Sequence, residues 1–255
     1  MEKFLFASDL DNTLVYSYKY RKENDVCVEY LDGNEQSFMT PRAIEMLSDV
    51  VGRSRLVPVT SRSIEQYQRI HLPGIPVPEY ALTTNGAILL KNGEIDRAWQ
   101  EESFRIIAPW VEEMQRMLPI LDFIEEVLQY RIVDDMYLFA MCDNAPQAQK
   151  VKTILTDQTT LPVEITGRKV YFFPPSLTKG AALKRLRQRI SSDTVIAAGD
   201  SPIDLSMLQE ADIAILPQKI WQISADLEHC FVWNQETVFS EFILETILSN
   251  IIREK

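Results

Sequence analysis

The stretch FASDLDNTLV, residues 6–15, decides how this chain is read. It closes a short apolar run, KFLFA (3–7), whose lack of polar alternation reads as a strand buried on both faces. Two carboxylates, Asp9 and Asp11, stand at the end of that strand. Residues two apart in a strand point to the same side, so both acids face one spot. In open α/β sheets the carboxyl ends of the strands are where ligands bind. Taken alone, the stretch reads equally well as an Asx-type turn or a helix cap with solvated acids. An EF-hand loop is a second alternative, but Leu14 stands at the sixth position, where that loop has glycine.

Working outward, the same signature returns. RLVPVT (55–60) is an apolar strand that delivers Thr60, with Pro58 an awkward feature within it. YALTT (80–84) is a third strand and leads into Asn85-Gly86. TVIAAGD (194–200) delivers Asp200, with Asp204 one helical turn on, and DIAIL (212–216) follows as a further strand. Helices are predicted between them. One is capped by Thr40-Pro41 and carries Ile44, Leu47 and Val51 on one side. Another runs through Ile64, Tyr67 and Ile70. A third opens at Thr178 and bears Leu183, Leu186 and Ile190. Lys179, in its first turn, opposes the helix dipole, so another partner should hold it. Asp32-Gly33-Asn34 marks a hairpin, and the tail from Val238 reads as an amphipathic helix.

Between 87 and 173 the rhythm changes to helix–strand–strand, repeated. A hairpin turns at Asn92-Gly93, a helix starts near Ser103 and carries Ile106, Trp110, Met114 and Met117, and strands lie in IEEVLQYRI and MYLFAMC. A second helix begins near Pro146, and VEITGRKVYFF forms two strands turning at Gly167. The expected fold is therefore α/β: a doubly wound, Rossmann-like parallel sheet built from 1–86 and 174–255, with a smaller α+β cap domain inserted at 87–173.

Composition narrows the chemistry. Hydrophobic residues make up 46% and charged residues 25%, as in an ordinary globular protein, and the formal net charge is −11. Such an acidic chain lacks the cationic surface that nucleic acids and anionic membranes require, so neither is an expected partner. Any anionic ligand must meet a locally positive centre. Cys27, Cys142 and Cys230 are odd in number and widely spaced, as reduced thiols are, and the N-terminal apolar run is too short for a signal peptide. The expected compartment is the cytoplasm. If the aspartates converge, two charges about 4 Å apart repel by roughly 4 kcal/mol at an effective dielectric near 20. They then take up protons or hold a cation. Carboxylate oxygens without histidine or thiol select a hard ion, Mg²⁺, and with it a phosphate.

Four ordered motifs, DLDNT (9–13), VPVTSR (57–62), LTKG (177–180) and GDSPIDLSML (199–208), make the sequence resemble the haloacid dehalogenase-like phosphohydrolases. The insertion and TTNGA (83–87) resemble the subgroup with a type IIB cap, which includes many sugar-phosphate phosphatases. The resemblance implies that Asp9 is the nucleophile and Asp11 the general acid and base. It implies that Thr60 and Lys179 hold the phosphoryl oxygens. Mg²⁺ would be bound by the Asp9 carboxylate, the Asp11 carbonyl and Asp200, with Asp204 supporting the metal site or Lys179. Ser61, Arg62 and Asn85 are the further candidates for substrate contact; Arg62 reads equally as an ion-pair partner and Asn85 equally as a turn residue. Arg131, Arg168 and Lys169 are cap cations that either bind a second anionic group or stay solvated. The sequence departs from the pattern at Asn12, where many relatives have glycine, at Ser61, and at Ile203, where asparagine is frequent. The expected activity is hydrolysis of a small phosphorylated metabolite, by a monomer or homodimer. A phosphomutase of similar architecture and a catalytically silent binding module are the alternatives.

Overall fold

The computed structural model describes residues 4–192, 194–224 and 227–251; Lys3, the first residue of the expected opening strand, lies outside them. The chain divides into two compact units, residues 1–95 with 179–255, and residues 96–178.

The first unit opens with β1 (Phe4–Ser8), every residue of which is buried. After the DLDNT turn come β2 (Tyr16–Ser17) and a hairpin of β3 (Val26–Leu31) and β4 (Asn34–Met39). Asp32 and Gly33 both have positive φ there, which is why Asp-Gly serves at that corner. Helix α1 (Pro41–Arg53) begins as the sequence predicts: the Thr40 hydroxyl accepts the Ala43 N–H at 3.0 Å, and Pro41 occupies the first turn. Its most buried face is Ala43, Leu47 and Val50, with Ile44 and Val51 only partly covered. β5 (Ser54–Pro58), α2 (Ile64–Gln68), β6 (Tyr80–Thr83), β7 (Ile88–Lys91) and β8 (Glu94–Ile95) follow.

The second unit contains α3 (Arg97–Ile107), α4 (Val111–Leu121), β9 (Val127–Val133), β10 (Tyr137–Cys142), α5 (Ala145–Leu155), β11 (Val163–Thr166) and β12 (Lys169–Phe172). Its four strands form an antiparallel sheet in the order β11-β12-β10-β9, with α5 packed on β10, β11 and β12 and α4 on β9. Where one helix was expected from near Ser103, two occur. The first starts at Arg97 because the Asp96 carboxylate accepts the Trp99 N–H at 2.9 Å, and the chain tightens into a short turn at Pro109 before α4. The expected inserted segment, 87–173, differs at both ends from this unit: β7 and β8 group with the first unit, because β7 pairs with β6, and residues 174–178 group with the second.

The first unit resumes with α6 (Lys179–Ile190), β13 (Val195–Ala198), α7 (Leu205–Gln209), β14 (Ile213–Pro217), α8 (Gln218–Trp221), β15 (Cys230–Trp233) and α9 (Phe239–Thr246). The central sheet is parallel throughout, in the order β15-β14-β13-β1-β5. The edge strand β15 carries no strong sequence signal and was not expected. Pro58 is accommodated because β5 is the opposite edge; Val59 N–H donates inward to the Ser8 carbonyl, so position 58 faces away from the ladder. One side of the sheet is sealed by α1 and α9, where Leu47 and Val50 join Ile243, Leu244 and Ile247 in the core. Each such side chain contributes roughly 1.5–3 kcal/mol of burial. Strand order runs away from β1 in both directions, so the topological switch lies between β1 and β13. Among the described residues, no helix is long and apolar enough to cross a membrane.

Candidate active site

Register places the candidate residues. Ser8 pairs with Ala198 on one side and with Pro58 on the other. The residues just beyond these, Asp9, Asp200 and Thr60, therefore emerge at the same end of three adjacent strands, at the switch point. The Asp9 N–H is tied to the Ala198 carbonyl at 2.9 Å. The turn that follows needs Asn12 at φ +60°, a conformation that asparagine tolerates and glycine adopts freely, so the departure from glycine costs little.

Lys179, the first residue of α6, is buried, and its Nζ donates to Asp9 Oδ1 at 2.6 Å and to Asp204 Oδ1 at 2.5 Å. These are the partners that the opposed helix dipole demanded. Burial alone would push the ammonium down, but the Asp204 and Asp9 carboxylates outweigh it and hold the lysine charged. Gly180 allows this approach: a Cβ there would meet the Ser206 carbonyl oxygen at 2.1 Å. Gly199 does the same for Asp204, whose Cβ would lie 2.4 Å from an added one. Asp204 can thus fold back so that Oδ2 accepts the N–H groups of Asp200 and Ser201 at 3.2 and 2.9 Å and the Ser201 hydroxyl at 2.7 Å.

Among the described residues, Asp9, Asp200 and Asp204 form a group in which one carboxylate oxygen from each lies within 4.8 Å of the other two. Their oxygens are unequally served. Both Asp204 oxygens are committed, whereas Asp9 Oδ2 and Asp200 Oδ1 share one hydroxyl, that of Thr13, at 3.4 and 3.5 Å. Burial pushes Asp9 up to about 8 against the pull of Lys179, with Asp204, Asp200 and Asp11 adding to the rise. Asp200 rises to about 6, first through burial and then through Asp204, with Lys219 at 3.3 Å opposing. Two poorly served, hard carboxylate oxygens, in a pocket with more negative than positive charge, suit a divalent cation. Asp204 fixes Lys179 and the Asp200 backbone while also contributing an oxygen to the acid group.

Thr60 is buried; its N–H donates to the Leu82 carbonyl at 2.8 Å, and its hydroxyl accepts the Arg62 N–H at 3.1 Å. Ser61 lies in the same loop, half-buried. The TTNGA turn is bonded to that loop: Thr84 N–H to the Arg62 carbonyl at 2.7 Å and Asn85 N–H to the Thr60 carbonyl at 2.9 Å. Thr84 and Asn85 both have positive φ, +55° and +57°. For a β-branched threonine this is a strained conformation, held by those bonds and by the packing of α6 on the turn.

Asp11 is not in the acid cluster. Both its oxygens accept from Arg62, Nε to Oδ2 and Nη2 to Oδ1, each at 2.8 Å. Arg62 also grips Glu29 of β3, Nη1 to Oε1 at 2.7 Å and Nη2 to Oε2 at 2.9 Å, and Nη1 reaches the Gln66 carbonyl at 3.2 Å. The five guanidinium N–H groups are thereby matched by protein acceptors, two carboxylates and a backbone carbonyl. Glu29 is buried and also accepts from Ser37 Oγ at 2.5 Å and Arg69 Nε at 3.3 Å. Burial would raise its carboxyl, but the Arg62 bonds prevail and hold it below the ordinary range. Sequence reasoning did not find Glu29, Ser37, Arg69 or Lys219. Arg131, Arg168 and Lys169 lie on or beside β9 and β12 of the second unit.

The chain's similarity to known proteins agrees with this geometry. The model of the haloacid dehalogenase-like hydrolase family matches residues 112–216, a span that contains Lys179, Asp200 and Asp204. No curated protein matches in sequence. Among solved structures, the sucrose-phosphatase from Synechocystis sp. PCC6803, in complex with sucrose and phosphate, is similar with a TM-score of 0.65 and 18% identity, over 97% of this chain and 98% of that one. A trehalose-6-phosphate phosphatase related protein gives 0.58 and 17%, over 98% and 100%. A haloacid dehalogenase-like hydrolase from B. subtilis gives 0.59 and 16%, over 97% and 100%. At these identities the likeness is one of fold, and it extends over both units.

Proposed function

We propose that this haloacid dehalogenase-like chain is a phosphatase that hydrolyses a small phosphorylated metabolite, a sugar phosphate, through an aspartyl-phosphate on Asp9 with Mg²⁺ as cofactor. The observation that carries the reading is the meeting of Asp9, Lys179, Asp204 and Asp200 at the switch point of the sheet. The sugar class is supported by the sucrose and trehalose phosphatases among the structural neighbours. The small phosphorylated molecule is the partner in this reading, and the cytoplasm its compartment.

The chemistry follows from the residues. A carboxylate oxygen of Asp9 attacks phosphorus as the P–O bond to the alcohol breaks. Asp11, entering the step in its acid form, gives the departing alkoxide its proton and becomes the carboxylate that pairs with Arg62. Asp11 then takes a proton from water as that water attacks phosphorus, the bond to Asp9 breaks, and inorganic phosphate leaves. Lys179 and the Thr60 hydroxyl hold the phosphoryl oxygens, Lys179 also keeping Asp9 oriented. The Asp9 carboxylate, the Asp11 carbonyl and Asp200 would hold Mg²⁺, which when bound supplies Lewis-acid neutralisation of the phosphoryl charge. Ser61 and Asn85 border this loop as candidate substrate contacts. The test is release of inorganic phosphate from a panel of sugar phosphates with Mg²⁺. Release that stops with a chelator and with Asp9→Asn supports the reading; undiminished turnover by Asp9→Asn sinks it.

A further inference from the structure

We infer that Glu29, a buried acid on the β3–β4 hairpin, is a positioning residue that fixes the Asp11 carboxylate for proton transfer to the leaving group, acting through Arg62. The inference rests on the hydrolase reading and concerns a residue no motif contains. Arg62 reaches Asp11 with Nε and Nη2 in a bidentate fork, both contacts at 2.8 Å. Such a fork sets the plane of a carboxylate only if the guanidinium is itself held. Glu29 holds it from the other side, through Nη1 and Nη2 at 2.7 and 2.9 Å. Glu29 in turn is fixed by Ser37 Oγ at 2.5 Å, across the hairpin, and by Arg69 Nε at 3.3 Å, beyond α2. Asp11 sits in the turn after β1 and is itself about one-third exposed. A carboxylate that must deliver a proton along one line, on a turn open to solvent, needs such a second tier of contacts. The chain devotes three charged groups, Arg62, Glu29 and Arg69, to it. Burying Glu29 and Arg62 is costly unless each is fully paired, and here each is.

The experiment separates this from a structural role by its dependence on the leaving group. kcat/KM reports events only up to departure of the alcohol. An alkyl phosphate needs the proton from Asp11 at that step, and 4-nitrophenyl phosphate does not. In Glu29→Gln, kcat/KM for an alkyl phosphate should fall by about tenfold or more, within the range general acid catalysis supplies, while that for 4-nitrophenyl phosphate should change by less than about threefold. Ser37→Ala, which keeps every charge, should show a smaller split in the same direction, and stands in if Glu29→Gln does not fold. Equal losses on both substrates, or no loss on either, would overturn the inference. If the unaltered protein hydrolyses neither substrate, the phosphatase reading fails by itself. The positioning claim is then decided by crystal structures of the protein and Glu29→Gln: it stands if the Asp11–Arg62 fork is displaced in the variant and falls if the fork is unchanged.

Discussion

Two charge clusters flank the turn at Asp9–Asp11, and they are built on opposite principles. On one side, three buried carboxylates, Asp9, Asp200 and Asp204, share one buried ammonium, Lys179; Lys219 adds a second cation, but from an exposed position. On the other, Asp11 and Glu29 are balanced by Arg62 and Arg69. The first cluster is left negative, with oxygens of Asp9 and Asp200 poorly served. In the second, each carboxylate has a guanidinium partner, an exposed Glu65 included on Arg69, and the donors of Arg62 are fully matched. Low dielectric makes both expensive to leave incomplete. The difference shows where an ion is wanted: a deficit of positive charge can be filled from solution, and a balanced network has nothing to gain from it. Two residues of sequence separate a carboxylate suited to reacting from one suited to being aimed.

The largest effect should fall on the first cluster. Asp9→Asn removes the nucleophile, and phosphate release should drop by at least about a thousandfold, measured on the best substrate of the panel, with the fold intact by circular dichroism. Next comes the loss of each cluster's central cation. Lys179→Met should lower the unfolding free energy by about 3–5 kcal/mol, because it leaves buried carboxylates uncompensated, and Arg62→Met by less, because Asp11 is partly exposed and Glu29 keeps Arg69. The comparison predicts that they part on adding Mg²⁺. Urea denaturation should show partial recovery for Lys179→Met, where an ion can offset the exposed deficit, and none for Arg62→Met. Equal recovery in both would break the distinction.

The first cluster was legible from sequence and the second was not, for a physical reason. Asp9, Thr60 and Asp200 each end an apolar run, and a parallel sheet brings such ends together by register alone; Ser8 opposite Ala198 and Pro58 is enough. Lys179 was marked by its unfavourable place in the first turn of α6. The Glu29–Arg62 contact spans 33 positions, joining a hairpin strand to a loop, and neither residue interrupts a pattern. Glu29 reads as an ordinary polar residue in a partly exposed strand. Arg62 was seen, but its partners depend on how a hairpin folds over a loop, which periodicity does not encode. Local signals failed similarly at β15, and at α3, where the Asp96 cap and the turn at Pro109 overrode a helical period that ran on to Met117.

A gentler probe of the same contrast is binding of the ion to the intact protein. At about a hundredfold excess over its dissociation constant, Mg²⁺ should stabilise by about 2.7 kcal/mol, or roughly 5–10 °C in melting temperature for a chain of this size. Asp200→Asn should abolish the shift and Glu29→Gln should keep it, as read by differential scanning calorimetry with and without chelator. A shift that survives Asp200→Asn places the ion elsewhere and removes the argument from the poorly served oxygens.

The smallest effect concerns pH. Glu29 is held below the ordinary carboxylate range in the folded chain, burial being outweighed by the Arg62 and Ser37 bonds. A depressed folded value contributes stability that is fully present above the unfolded pKa, about 4.3 for glutamate, and is lost as pH falls through the folded value. Asp9 and Asp200 run the other way: their raised values make the ion-free fold lose stability as pH rises from the unfolded range through about 6 and then about 8. The two trends overlap in the whole protein, so the difference between the protein and Glu29→Gln is the quantity to measure, since the aspartate contribution is common to both. That difference in unfolding free energy should be flat above about pH 5 and shrink below it, by on the order of 1 kcal/mol, as expected of hydrogen bonds to a charged group. A difference that grows as pH falls would mean that Glu29 is carried neutral in the fold, and the second cluster would then not be balanced.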